Sequence, residues 1–74
     1  MVVLFIKEEE LLESGEIIYD YMVFDTMYKA EKHLLEEYNK LRNFELIKLT
    51  NDSISVNINC ERIVRMKLEP KMVK

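Results

Sequence analysis

His33 is the only histidine in the chain and Cys60 the only cysteine, so a catalytic or metal-binding reading must begin with them. His33 has Glu37 four residues on, a spacing that stacks the two side chains on one helical face. Such a pair could act as a base with its orienting carboxylate, but a base also needs a substrate pocket to act in. As metal ligands the two supply fewer groups than the three or four zinc takes. His33 falls off the apolar stripe of its segment, and the expectation is a solvated helix histidine.

Cys60 could be a nucleophile only if something lowered its thiol pKa. Arg62 is close in sequence, yet the strand pattern points Cys60 inward with Ile58 and Val56, so a buried inert thiol is expected. The acidic run Glu8-Glu9-Glu10 with Glu13 offers oxygens to a hard cation. It lacks the alternating Asp/Asn spacing and turn glycine of a calcium loop and reads as a solvated strand edge. A glycine-rich phosphate loop is excluded because Gly15 is the sole glycine. These residues point to no catalytic centre, no metal and no cofactor.

Two other groupings suggest binding. Tyr19 and Tyr21 lie on one face of a strand, with Tyr28 and Phe24 nearby, and tyrosines are enriched at protein interfaces, although the plainer expectation is that this face packs under the helix. Arg62, Arg65, Lys67 and Lys71, with Lys74 beyond, form a basic edge that could track a phosphate backbone. Against that stand a pI near 5.1 and the lack of aromatic residues interleaved with those bases in sequence.

The elements that position these residues follow from periodicity. Met1–Lys7 and Ile17–Phe24 are rich in β-branched and aromatic types and predict a hairpin closed by Ser14-Gly15. That loop opposes Leu12 to Ile17, Ile6 to Val23 and Phe5 to Phe24. It also opposes Glu9 to Asp20, a repulsive pair, and Glu8–Glu13 has helical propensity, so fraying or a bulge is expected there. From Thr26 to about Arg42, Met27, Ala30, Leu34, Tyr38 and Leu41 make a helical stripe. Asp25 is its expected N-cap and Asn43 its C-terminal cap, with Glu36 and Lys40 as an i,i+4 pair.

Strands resume at Glu45–Thr50, which puts Ile47 and Leu49 on one face. An Asn51-Asp52 turn then pairs Leu49 with Ile54 and Ile47 with Val56. Ser53–Cys60 alternates strictly, and Val64–Glu69 alternates with Val64, Met66 and Leu68 inward and Arg65 and Lys67 outward. A three-residue loop, Glu61-Arg62-Ile63, opposes Ile58 to Met66 and keeps like faces together. The architecture expected is α+β in the order ββαβββ: one helix on a mainly antiparallel sheet or small curled barrel. Residues 1–74 form a single domain and residues 70–74 a frayed tail.

Composition bounds the rest. The 74 residues are 49% hydrophobic, much for so small a core, and neither a disulfide nor a zinc site is on hand to staple it. Self-association, as a homodimer, is therefore expected. Charge is uneven: the net of −3 hides an acid-rich first third and a base-rich end. The apolar start lacks a basic leader and runs straight into Lys7 and three glutamates, and no stretch is long enough to span a bilayer. A lone cysteine suits a reducing compartment. The reading is a cytoplasmic protein, not an enzyme, with no membrane role and a protein partner. The alternative is a nucleic-acid-binding module using the basic strand.

Overall fold

The computed structural model describes residues 1–72. Its elements are β1 (Val2–Leu11), β2 (Ile17–Phe24), α1 (Met27–Lys40), β3 (Phe44–Leu49), β4 (Ser53–Ile58) and β5 (Arg62–Lys71). All neighbouring strands are antiparallel, in the order β2-β1-β5-β4-β3. The sheet is open, so β2 and β3 are both edges and no barrel forms.

The helix covers one face of this sheet. Ala30 and Leu34 are buried against Val3, Phe5, Ile54, Val56, Ile58, Val64, Met66 and Leu68, with Phe24, Met27, Tyr38, Leu41 and Phe44 around them. The predicted helical stripe and the alternation of β4 and β5 thus supply the core. Thr26, not Asp25, caps the helix: its hydroxyl accepts from the Lys29 amide at 3.2 Å. Asp25 instead pairs with the Lys29 ammonium at 3.0 Å, which holds its carboxyl below the usual range. At the far end Leu41 is the cap, while Asn43 adopts a left-handed φ of 56° where the chain turns into β3. Lys40 reaches Glu37 (3.9 Å), so the contact expected with Glu36 is replaced.

The β1–β2 hairpin keeps the predicted faces but slides by two residues. Phe5 opposes Met22 and Ile6 opposes Tyr21, with a longer loop through Leu12-Glu13-Ser14-Gly15. Gly15 takes a φ of 74° and donates to the Leu11 carbonyl at 2.8 Å. The slide replaces Glu9 opposite Asp20 with Lys7 opposite Asp20, which removes the repulsion.

Nor does the acidic run fray. Glu8, Glu9 and Glu10 stay in β1 because β5 brings two arginines to them. Arg65 donates to Glu8 at 2.7 Å and to Glu10 at 3.1 Å, and Arg62 to Glu9 at 2.6 Å. The expected tail is strand as far as Lys71, with Pro70 opposite Val3; Val73 and Lys74 lie outside the described residues. Proline is tolerated there because its nitrogen faces the side where β4 has ended, two residues past the Leu68 amide that reaches Asp52 at 2.9 Å.

Two turns differ from expectation. Between β4 and β5 the loop has the predicted three residues but lies at Asn59-Cys60-Glu61, so Ile58 opposes Arg62 and Ile54 opposes Met66. Asn59 and Cys60 have φ of 55° and 56°, and the Glu61 amide bonds the Ile58 carbonyl at 3.0 Å. A turn with two left-handed residues matches the twist of the strands it joins. It also lifts Cys60 out of the strand, so the thiol is exposed rather than buried. In β3 the Asn51-Asp52 turn and the Leu49–Ile54 pair are as predicted. A bulge between Leu46 and Lys48 then gives Leu46, not Ile47, the place opposite Val56.

A left-handed residue with a Cβ costs about 1–2 kcal/mol, which glycine avoids at some expense in unfolded-chain entropy. Cys60→Gly should therefore raise stability by roughly 0.5–1 kcal/mol in urea unfolding. Arg65→Met should lower it by about 1 kcal/mol, a modest figure because the side chain is 42% exposed. Most of that loss should vanish in concentrated salt, and an Arg65→Met protein as stable as the parent would show the carboxylates indifferent to it.

Candidate functional site

The face of the sheet without a helix carries the residues that sequence reasoning kept apart. On β2 it presents Ile17, Tyr19, Tyr21 and Val23, and on β5 Arg65, Lys67, Glu69 and Lys71. Ile6 and Glu8 of β1 lie between, with Ser53 and Ser55 of β4 and Lys48 of β3 beyond. Tyr19, Tyr21, Arg65, Lys67, Ile6 and Ser55 help line a shallow, open concavity of about 450 Å³. The tyrosine rings lie parallel, 6.1 Å apart and 8° off coplanar, as alternation along one strand dictates.

The electrostatics of this face centre on Glu8. Its carboxylate accepts from Arg65, and it raises the Tyr19 phenol above its ordinary value as hydrogen-bond acceptor and as a neighbouring negative charge. Glu8 foremost, with Glu10, raises the pKa of the Arg65 guanidinium against the opposing effect of desolvation. Lys67 and Lys71 both reach Glu69, at 2.9 and 3.4 Å. That carboxyl is lowered by Lys67 first, and the Lys67 ammonium is raised in return. Every base that β5 places on this face therefore has an acidic partner.

Other candidates stand elsewhere. Arg62 belongs to the opposite face, in register with Val64 and Met66, so the basic strand is not one continuous edge. Tyr28 projects from the helix, 76% exposed and on the other side of the sheet from Tyr19 and Tyr21. His33 is largely buried rather than solvated, with part of its side chain still exposed. Its ring packs edge-on against Phe5 (centroids 4.6 Å apart) and beside Phe24 (5.2 Å), with Nε2 3.6 Å from Glu37. It lies closer to the core than its place off the apolar stripe suggested. Among the described residues no group of three or more histidine, cysteine or acidic side chains is arranged to hold a metal ion, and no helix is long and apolar enough to cross a membrane.

The edge strand β2 is the feature sequence reasoning underrated. Every residue from Ile17 to Val23 is exposed, and all but Asp20 are apolar or aromatic. The signal was present as a strand with one charge and no proline; what could not be read was that β2 lies at an edge. No known protein family, curated protein or solved structure shows significant similarity to the chain.

A phenol whose pKa is raised in the folded protein adds stability below its unfolded value and loses it as pH climbs through the folded one. In a variant keeping Tyr19 as its only tyrosine, absorbance should show ionisation above the ordinary phenol range. Glu8→Gln should bring it back down. An unchanged titration would separate Tyr19 from Glu8.

Proposed function

We propose that the chain is a non-enzymatic protein-interaction module whose working surface is the helix-free face together with the adjoining β2 edge. The observation that carries this reading is the exposure of Ile17, Ile18, Tyr19, Tyr21, Met22 and Val23 along one unpartnered strand. Contiguous apolar surface of that kind marks interaction sites in proteins that fold alone. The stacked tyrosines supply contact area at small entropic cost, each with a polar tip for the partner. Ser53, Ser55, Lys67 and Lys48 give the concavity a polar rim. Self-association belongs to the same reading, because the apolar surplus in the composition sits on the surface.

A second reading has one observation in its favour. Tyr19 and Tyr21 stand on the same face as Arg65 and Lys67, the mix of aromatic and basic groups that holds single-stranded nucleic acid. Its weakness is charge: Arg65 is bound by Glu8 and Glu10, and Lys67 and Lys71 by Glu69. Binding to phosphates would have to displace those carboxylates.

Affinity capture on the tagged protein, with and without nuclease, separates the two. A stoichiometric protein that survives nuclease and moderate salt, and is lost with Tyr19→Ser or Lys67→Glu, supports the interaction module. Material that vanishes with nuclease and falls off steeply with salt favours nucleic acid. Capture unaffected by either substitution would move the working surface off this face.

A further inference from the structure

The two edges of the sheet are not equivalent, and the difference points to an occupant for one of them. β3 is short, carries Glu45 and Lys48, and is broken by a bulge between Leu46 and Lys48. These are the features by which edge strands discourage pairing. β2 is neither short nor bulged and carries a single charge. It runs eight residues, Ile17–Phe24, with a regular register throughout. Its one charge, Asp20, stands opposite Lys7 of its own sheet.

The hydrogen-bonding phase of β2 is also fixed. The Leu11 amide donates to the Glu16 carbonyl at 2.8 Å, so those two residues form a hydrogen-bonded pair. Antiparallel ladders alternate, so Ile18, Asp20, Met22 and Phe24 turn their backbone groups toward β1. Ile17, Tyr19, Tyr21 and Val23 turn theirs outward, unpaired.

We propose that β2 pairs antiparallel with β2 of a second copy, about a two-fold axis at Tyr21. This rests on the interaction reading above and names the partner at its edge. An axis at Asp20 would set the two Asp20 carboxylates directly opposite each other, which is unfavourable. An axis at Tyr19 would run the partner strand past Ile17 into the Ser14-Gly15 turn and leave Val23 unmatched. At Tyr21 the pairs are Ile18 with Phe24, Tyr19 with Val23 and Asp20 with Met22, each made twice, around Tyr21 with itself. The outward amides of Tyr19, Tyr21 and Val23 all find carbonyls. The axis is perpendicular to the sheet, so both helices fall on the same side. The helix-free faces join into one surface with the four Tyr19 and Tyr21 rings at its middle. A contact of one strand pair falls at the small end of specific interfaces, so a reversible dimer is expected.

Sedimentation of the intact protein across a wide concentration range tests the pairing. Wild type should pass from monomer to dimer. Tyr21→Lys and Tyr21→Glu should each remain monomeric through like charges at the axis, yet form a dimer when mixed, which also shows that both are folded. In a Cys60→Ser background, Tyr21→Cys should oxidise to a disulfide dimer, since hydrogen-bonded partners hold their Cα atoms about 5.5 Å apart. Asp20→Cys should not, being displaced along the strands from its own copy. Cross-linking through Asp20→Cys in place of Tyr21→Cys overturns the register. A wild type that stays monomeric throughout, or a dimer that Tyr21→Lys leaves intact, overturns the pairing. A monomer that still captures a protein through the helix-free face leaves the proposed function standing without it.

Discussion

The contact on which the rest of this fold depends is between its first strand and its last. β1 and β5 are the two longest strands and both lie inside the sheet, and each is a mismatch for that position by composition alone. β1 ends in three consecutive glutamates, and β5 alternates bases with apolar residues. Side by side they neutralise one another: Arg65 takes Glu8 and Glu10, and Arg62 takes Glu9 from the other face. Partly exposed pairs of this kind contribute little net stability one at a time. Their larger effect is on register, because a shift of one residue would turn the faces of one strand over relative to the other and, in one direction, set Arg65 opposite Lys7. The partners are separated by 53 to 57 positions, so the loop that closes them spans most of the chain. Closing it costs entropy before any of these contacts form, whereas both outer hairpins are local. Folding should wait on β1 meeting β5, with the helix, packed across both, fixing the result.

That central pairing also decides what the two faces are for. With β1 and β5 adjacent, Val3, Phe5, Val64, Met66 and Leu68 join into one apolar floor, and α1 fills it with Ala30 and Leu34. The opposite face inherits the intervening residues, and on it Glu8 serves Arg65 and Tyr19 at once. The consequence is a surface whose basic groups are held by carboxylates rather than left free to seek phosphate. The same ion pairs that make the strand pairing tolerable thus lower the electrostatic attraction of this face for a polyanion.

How much of this could be read from the residues depends on the range of the interaction. The helix stripe, the alternation of β4 and β5, the Asn51-Asp52 turn and the order ββαβββ are local patterns, and all are present. The registers that slipped did so for non-local reasons or through turn chemistry. The longer loop around Gly15 sets Lys7 rather than Glu9 opposite Asp20, and the β4–β5 turn, with Asn59 left-handed, lies upstream and carries Cys60 out of the core. The acidic run looked like a fraying end because its arginine partners are far away in sequence. His33 looked solvated because helical spacing alone does not reveal that Phe5 and Phe24 lie beside it. For the candidate site, Tyr19, Tyr21, Arg65 and Lys67 were each identifiable by type. Only strand order shows that they share a face, that Arg62 does not, and that Tyr28 belongs to the other side.

The hydrophobic share of the composition acquires a definite address from this arrangement. A sheet covered on one face by a single helix has one core layer, and the buried residues of the helix and of β1, β4 and β5 fill it. What remains apolar must be exposed, and apart from Tyr28 and Leu35 on the helix, Leu12, Met1 and Met72 it is distributed unequally: along β2 on one edge and around the bulge of β3 on the other. On β3 the exposed residues are Leu46, Ile47 and Leu49, interrupted by Glu45, Lys48 and the broken register. On β2 they are continuous, lie beside unpaired backbone groups, and lead directly onto the stacked tyrosines. Folding alone does not require that concentration, since a strand held by β1 on one side would keep its place with polar residues at Ile18, Met22 or Val23. On the proposed reading, that surplus serves a contact outside the sheet rather than packing within it.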